Sequence, residues 1–367
     1  MPIFMDFHDL PEVTIEDAQK AHLRDVSVQE KYKVRYLQYW INEKEGKAYC
    51  LIEGPNKEAC QATHREANGI EACNLVEVKG GMYDLFLGDN QKIDHGLVRH
   101  FNGEVDTGYR FIMSLQFIRP LSLPSPKKAR NKMADQLKLE CIGIVEKYDG
   151  RDINQPEDDT FIGIFRTPDA ALQCSLDLRR HILGSKGNTK YKSINFKMGL
   201  CVGQPVTEDQ GFFEEALNLA EILCNIARVS EINTSRFFSQ LSNLKDQIFE
   251  NNGFRIVEAQ DVGFLISLYE FIRKNLRKET LSVDELGREM AVSRAQLYRK
   301  IKTLTGISPN HFIRDQRLDR AMNLIKKGDS NISEIALEVG FNNPSYFSKC
   351  FQNRFGISPS KLKIASS

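Results

Sequence analysis

Three features are missing from this sequence of 367 residues. No apolar run approaches the roughly 18 residues that a membrane-spanning helix needs, which excludes an integral membrane protein. The first dozen residues have no basic stretch followed by an apolar one, so we expect no secretory signal. The eight cysteines include no C-x-x-C pair, which argues against a disulfide scaffold or a thiolate zinc site. We therefore expect reduced thiols, a cytoplasmic location and no membrane partner.

Basic and acidic residues are unevenly divided along the chain. Residues 263–367 hold 18 Lys and Arg against 10 Asp and Glu, a net charge of +8, whereas the residues before them have a net charge of −7. A basic end on an acidic body indicates that one end meets a polyanion, either nucleic acid or an anionic membrane. The length predicts two or three domains, at roughly 100–200 residues each.

A repeat in the last hundred residues identifies the kind of polyanion. Residues 293–309 and 343–359 both end in G-I-S-P, and their apolar residues recur at helical spacing. Each copy follows a short amphipathic segment and a tight turn, so each reads as a helix-turn-helix unit. The predicted helices before the two copies and between them are 283–290, 332–339 and 310–327.

Two such units joined by a rigid helix fit double-stranded DNA, because successive major-groove faces on one side of B-DNA lie about 34 Å apart. We predict that each unit places its second helix in a groove. Arg and Lys can donate to guanine, Gln can pair with adenine, and the other side chains can hold phosphates. The predicted contact residues are Arg294, Ala295, Tyr298, Arg299, Lys302, Ser345, Tyr346, Lys349 and Gln352.

The second copy carries the motif of a known family. It reads I-x-x-I-A-x-x-V-G-F from Ile332, then S-Y-F-S-x-x-F from Ser345 and F-G-x-S-P from Phe355. In these motifs residues 264–363 resemble the AraC/XylS family DNA-binding domain, which implies a sequence-specific transcriptional regulator that acts with RNA polymerase. One departure is Ile301, where the family often has Phe. The alternative is a helical bundle that uses the repeat only for packing.

Residues 1–80 read as strand, helix, strand, strand, helix, strand, which is the ferredoxin-like order. The stretches MDFHDLPE, AHLRD, CLIEGP and HREANG resemble a family of small ferredoxin-like proteins with nickel-binding members. Candidate ligands for nickel or another divalent transition metal, by this resemblance and by residue type, are His8, His22, Cys50 and His64. Relatives commonly have a second histidine where this chain has Asn68, and an amide is a poor ligand for such an ion. The alternative is that these histidines only form hydrogen bonds within the fold.

Residues 105–245 again alternate strands and helices. The stretches KYDGRDINQPEDDTFIGIF and NFKMGLCVGQPV resemble a divergent class III nucleotide cyclase domain. Cyclisation needs two divalent ions held by two aspartates. Asp159 keeps one aspartate position, but Gln116 or Phe117 stands at the other, and neither can replace a carboxylate on a hard cation.

Two further positions of that resemblance have lost their chemistry. The family's transition-state pair, an Asn and an Arg four residues apart, corresponds to Asn218 and Ile222, and Gln155 replaces the purine-contacting lysine. Loss of the cation removes stabilisation of the developing phosphate charge. We therefore expect this domain to be catalytically inactive and to pair two chains or bind a ligand.

Together these observations predict an α+β protein. It has two α/β sandwich domains, ferredoxin-like and cyclase-like, followed by an all-α tandem helix-turn-helix domain, with boundaries at 1–80, 105–245 and 263–367. We expect a non-enzymatic regulator that forms a homodimer, because dimers are the commonest assemblies. The alternative is a nucleotide cyclase or a metal-binding sensor enzyme with a fused DNA-binding tail.

Overall fold

Two six-stranded sheets followed by helices make up the computed structural model of the chain. It describes residues 1–78, 92–118, 127–153, 160–184, 194–244, 247–328 and 331–366. The predicted fold class, a mixed α/β region with two sheets followed by a helical end, is confirmed. Within these ranges, no helix is long and apolar enough to cross a bilayer.

The front of the chain forms β1 (Ile3–Asp9), α1 (Ile15–Val28), β2 (Arg35–Asn42), β3 (Lys47–Glu53), α2 (Lys57–Asn68), β4 (Asn74–Glu77), β5 (Lys92–Asp94) and β6 (Leu97–Arg99). The strands pair in the order β4-β1-β3-β2-β6-β5, so the first four have the predicted ferredoxin-like arrangement. Helix α1 ends at Val28, where residues 29–32 form a 3-10 turn and Lys33 takes a left-handed conformation.

The two faces of the first sheet are buried against different partners. Alternation along β1 turns Asp6 and His8 toward α1 and α2 and turns Met5 to the opposite face. On that opposite face the Tyr49 hydroxyl donates to Gln204 Oε1 at 3.0 Å. The first and second sheets therefore share one apolar core.

The middle of the chain forms β7 (Arg110–Ile118), α3 (Lys127–Lys147), β8 (Arg151–Asp152), β9 (Thr160–Phe165), α4 (Pro168–Leu183), β10 (Asn195–Gly203), α5 (Glu214–Ile226), β11 (Ile232–Ser235), α6 (Arg236–Leu241), α7 (Gln247–Asn251) and β12 (Phe254–Val257). The strand order is β12-β11-β10-β7-β9-β8. Helices α3 and α4 cover one face and α5 the other. Glycine lets α5 approach β10 closely, since a Cβ on Gly199 would lie 2.4 Å from the carbonyl oxygen of Ala220.

The end of the chain forms α8 (Ala259–Asn275), α9 (Val283–Glu289), α10 (Arg294–Thr305), α11 (Pro309–Lys327), α12 (Ile332–Glu338), α13 (Pro344–Phe355) and α14 (Pro359–Ser366). The pairs α9–α10 and α12–α13 are the two helix-turn-helix units, and α11 joins them. The first unit shares the core of the second sheet, whereas the second unit packs around its own core, which includes Phe347 and Phe351.

The first unit is tied to the second sheet through α8. Lys300 Nζ, on α10, lies 3.1 Å from Asp261 Oδ1 and 4.6 Å from the ring centroid of Phe264, both on α8. From the same helix, Arg273 Nη1 donates to Asn218 Oδ1 on α5 at 3.0 Å. Helix α8 therefore connects α5 of the second sheet with the first helix-turn-helix unit.

Candidate nucleic-acid interface and metal centre

Helix α10 has a buried face and an exposed face of the kind its sequence predicts. Ser293 caps the helix: its Oγ accepts from the backbone N–H of Gln296 at 3.3 Å, and Gln296 Oε1 accepts from the N–H of Ser293 at 3.0 Å. Leu297, Ile301 and Leu304 are buried because their spacing places them on one face. The predicted contact residues of this helix are all exposed: Arg294, Ala295, Tyr298, Arg299 and Lys302.

Helix α13 repeats this arrangement. The Oδ1 of Asn343 accepts from the first two free backbone N–H groups at 2.9 and 3.0 Å, and Pro344 occupies the first helical position, where a missing N–H costs nothing. Phe347 and Phe351 are fully buried. The predicted contact residues of this helix are also exposed: Ser345, Tyr346, Lys349 and Gln352.

The exposed cations on these two helices differ in whether they already have an ion-pair or hydrogen-bond partner within the protein. Arg294 Nη1 lies 3.5 Å from Asp284 Oδ1, and Lys302 Nζ donates at 2.7 Å to a carbonyl at the end of its own helix. Among the residues that the structure describes, neither Arg299 nor Lys349 has a carboxylate oxygen within 4.0 Å. Both can therefore meet a phosphate or a guanine without first breaking an ion pair.

Three side chains of metal-ligand type converge between the first sheet and its helices. Asp6 Oδ2 lies 2.7 Å from His64 Nε2 and 3.2 Å from His8 Nε2. All three residues are buried, and their ligand atoms lie within 4.8 Å of one another. The backbone N–H of Cys50 donates to the other oxygen of Asp6.

The second nitrogen of His64 is held by a further carboxylate. His64 Nδ1 lies 3.3 Å from Asp25 Oδ1 and 3.4 Å from the Tyr36 hydroxyl. Asn68 Nδ2 donates to Asp25 Oδ1 at 2.9 Å, and Asn68 Oδ1 accepts from Arg24 Nε at 2.8 Å. Asn68 therefore positions Asp25 and is not itself one of the three clustered side chains.

Charged neighbours inside the cluster shift the pKa values of His64 and Asp6 in opposite directions. Burial by itself lowers the pKa of His64, but its hydrogen bonds to Asp25 and Asp6 outweigh burial and raise that pKa to about 10. Burial by itself raises the pKa of Asp6, but the nearby charge of His8 and hydrogen bonds from His64 and His8 outweigh burial and lower that pKa. The metal-free cluster is therefore a buried ion pair.

The other two predicted ligands lie beside this cluster. The rings of His22 and Tyr39 are in contact, with centroids 4.8 Å apart and planes tilted by 36°. His22 Nδ1 has no hydrogen-bond partner among the described residues. Cys50 faces Asp6 from the neighbouring strand, and burial raises the pKa of its thiol. Sequence reasoning missed Asp6, although it lies two residues before His8 and so shares its strand face.

The donor set fits the metal that the front of the chain implies. Two imidazoles and one carboxylate suit nickel, zinc and similar divalent ions. In protein metal sites, the nitrogen of a ligand histidine that does not bind the metal usually donates to a carboxylate. His64 has this arrangement, because Nε2 faces the cluster and Nδ1 faces Asp25. Asp6, His8 and His64 are therefore the residues that would hold the ion.

The two positions matched to the cyclase transition-state pair, Asn218 and Ile222, line a small pocket together with Arg273 of α8. Asp159 and Gln155 lie outside the described residues. Asn218 is engaged by Arg273 of α8, and Ile222 is 6% exposed in the core between α5 and α8. Both positions that correspond to the cyclase transition-state pair thus lie at the junction with α8. The cyclase resemblance itself stays a prediction.

Comparison with known families assigns the two ends of the chain. Residues 286–363 match the family described as "Helix-turn-helix domain". The chain carries a helix-turn-helix domain. Residues 4–78 match the family described as "Nickel responsive protein SCO4226-like". The resemblances read from the motifs at the front and at the end of the sequence are thereby confirmed.

Curated relatives match parts of the chain. The protein named histidine kinase P4 of Formosa agariphila is 33% identical over 152 residues, which cover 41% of this chain and 11% of that protein. The HTH-type transcriptional activator RhaS of Mannheimia succiniciproducens is 29% identical over 177 residues, which cover 48% of this chain and 59% of that protein. The chain thus spans less than two thirds of the length of both relatives.

Solved structures match the same two ends. A transcriptional regulator with an AraC-type DNA-binding domain from Chromobacterium violaceum is 29% identical, with 30% of this chain and 96% of that one covered and a TM-score of 0.28. SCO4226 from Streptomyces coelicolor A3(2) is 36% identical, with 21% of this chain and 94% of that one covered and a TM-score of 0.20.

Proposed function

We propose that this chain is a sequence-specific transcriptional regulator that binds double-stranded DNA by placing α10 and α13 in successive major grooves. One observation carries the proposal: two capped helices, each the second helix of its unit, expose all nine predicted contact side chains. Their cations suit phosphate and guanine, and Gln352 suits adenine. The relative named as the activator RhaS supports the same function.

Selection from a pool of random-sequence duplexes tests this function. We expect the full-length chain to enrich a two-part site whose halves are about one helical turn apart. The same selection with the double variant Arg299→Ala, Lys349→Ala is the matched control. This variant removes two exposed cations that lack carboxylate partners among the described residues. Sequencing that finds no enriched motif with the unaltered protein would contradict sequence-specific binding.

The assembly and setting follow from this function. We infer a cytoplasmic homodimer that contacts RNA polymerase once bound to DNA. The resemblance of the second sheet to cyclase domains, which pair, supports the dimer. Sedimentation equilibrium at micromolar concentration tests it, and a single species at the monomer mass of 41.9 kDa would contradict it.

We propose that the chain has no nucleotide cyclase activity. The residue types at the two transition-state positions support this, because neither Asn218 nor Ile222 carries a positive charge that could stabilise a phosphate. Incubation of the purified protein with ATP or GTP and Mn²⁺ provides the test. Cyclic nucleotide above a protein-free blank would restore the alternative of an enzyme with a DNA-binding tail.

We further propose that the first domain binds nickel through Asp6, His8 and His64. The buried donor set and the match to a nickel-responsive family support this. Calorimetric titration with NiCl₂ should give one binding event per chain, which Asp6→Asn and His64→Ala abolish. His95→Ala is the control, because His95 is exposed. Equal binding heats for the unaltered chain and the three variants would show that Asp6 and His64 do not bind nickel.

A further inference from the structure

A cleft of about 1080 Å³ lies between the first two sheets. It forms where the β2–β3 turn, the connection from β6 to β7, the start of α4 and helix α6 meet. Its volume is that of sites that hold drug-sized molecules. None of the nine DNA-contact residues and none of the metal-cluster residues lines it. The cleft is therefore a separate feature that neither proposed activity uses.

The walls of this cleft expose large apolar side chains. Phe101 is 77% exposed, Phe237 45% and Leu241 39%, although side chains of this kind are usually buried. Two of the three are aromatic rings, whose faces attract cations. Lys92 Nζ already lies 5.3 Å from the ring centroid of Phe101. The cleft thus offers flat apolar contact together with rings that accept positive charge.

Carboxylates outnumber cations around this surface. Asp106 is neutralised by the buried Arg110, whose Nη1 and Nη2 donate to it at 3.0 and 3.2 Å. Lys44 and Arg166 are the permanent cations among the lining residues. Glu45 is already paired, because one of its carboxylate oxygens lies 3.4 Å from Lys47 Nζ. The other carboxylates that line the cleft are Glu43, Glu104, Asp149 and Asp169. By formal charge these four outnumber the two lining cations, so the lining attracts a positive guest and opposes a negative one.

We propose that the cleft binds a lipophilic organic cation, a molecule that combines aromatic or apolar groups with one positive charge. The apolar groups would cover Phe101, Phe237 and Leu241, and the charge would lie between the aromatic rings and carboxylates such as Glu104. A neutral apolar molecule would gain only the first contact, and an anion would meet repulsion. This proposal goes beyond DNA binding and metal binding, since it assigns a ligand class to a third surface.

Tetraphenylphosphonium and tetraphenylborate form a matched probe pair, because they have the same shape and opposite charges. Calorimetric titration of the full-length chain, without DNA or metal, should show binding of tetraphenylphosphonium with an affinity at least tenfold higher than that of tetraphenylborate. The test is independent of the DNA-binding function, which can fail or hold separately. Equal affinities, tighter binding of the anion, or no binding of the cation at millimolar concentration would overturn the proposal.

Variants locate the binding event. Phe101→Ala and Glu104→Gln should each weaken tetraphenylphosphonium binding at least threefold. Leu139→Ala and Glu58→Gln are the matched controls, because both residues are exposed and lie outside the cleft. Circular dichroism of each variant checks the fold. Unchanged affinity in both cleft variants would place the cation elsewhere and refute the assignment.

Discussion

Arg255, on the edge strand β12, donates two hydrogen bonds to the end of α10. Its Nη1 lies 2.9 Å from the carbonyl oxygen of Leu304, and its Nη2 lies 3.3 Å from that of Thr303. Carbonyl groups in the last turn of a helix lack partners within the helix, and a cation there also favours the negative end of the helix dipole. The second sheet therefore holds the proposed recognition helix at its C-terminal end.

We expect Arg255→Ala to loosen this connection. Loss of two hydrogen bonds from a half-buried cation should lower the free energy of unfolding by about 1 kcal/mol. It should also weaken DNA binding severalfold, because α10 must then be ordered on binding. Urea denaturation and fluorescence anisotropy measure the two effects. Arg277→Ala is the control: the Arg277 side chain is 78% exposed, and its contact with Glu338 at 2.9 Å should contribute less than about 0.5 kcal/mol.

The salt dependence of DNA binding should show what Arg299 on α10 and Lys349 on α13 contact. If Arg299 or Lys349 contacts a phosphate, its replacement by Ala should reduce the slope of log affinity against log salt by about 1. A contact with guanine should instead cost about 1–3 kcal/mol and relax specificity at one base pair. Lys20→Ala, which removes a cation paired with Glu16 on α1, is the control and should change neither quantity.

The two helices with one buried face were predictable from the sequence, whereas the parallel edge of the second sheet was not. The apolar spacing in residues 293–309 and 343–359 predicted one helix in each segment, and the structure has α10 and α13 there. Strands β11 and β12 were missed, because each has only four residues and no known fold pattern marked a strand at either place. They exist because β10 offers a pairing edge, which is a property of the assembled sheet.

The two candidate sites also differ in how much of each could be predicted from the sequence. Exposure of the nine contact residues followed from helix periodicity alone, because each lies opposite the buried face of its own helix. The metal cluster depends on tertiary structure: Asp6 and His64 are 58 residues apart and meet only when α2 packs on β1. Residue type selected His8 and His64, which the structure brings together with Asp6, but it also selected His22, which packing places against Tyr39.

The raised pKa of His64 predicts a pH dependence of the metal-free protein. The pKa of this imidazole is about 10 in the folded state against an ordinary value of 6.5, so the stabilisation is fully present below about pH 6.5 and is lost as pH rises through about 10. Urea denaturation in the presence of a chelator should therefore show a steeper loss of stability between pH 7 and pH 10 for the unaltered chain than for His64→Gln. If the stability of both proteins fell equally steeply with pH, groups other than His64 would account for the loss. That result would contradict this assignment.

The turn of one helix-turn-helix unit has alanine where the turn of the other has glycine. Exchanging the two residue types should therefore change the free energy of unfolding in opposite directions. Ala291 and Gly340 occupy equivalent turns, with φ of +51° and +83°, and only glycine adopts such values without strain. Ala291→Gly should raise the free energy of unfolding by about 0.5–1 kcal/mol, because it relieves that strain. Gly340→Ala should lower it by about 2 kcal/mol or more, since the new Cβ would lie 2.4 Å from the carbonyl oxygen of Leu276.

A matched control separates turn strain from the general effect of adding glycine. Ala62→Gly makes the same chemical change inside α2, where the backbone is helical, and should lower the free energy of unfolding by about 1 kcal/mol. Thermal unfolding followed by circular dichroism ranks all three variants against the unaltered chain. If Ala291→Gly destabilised the protein as much as Ala62→Gly does, the left-handed turn at Ala291 would not be strained, and the asymmetry between the two units would need another cause.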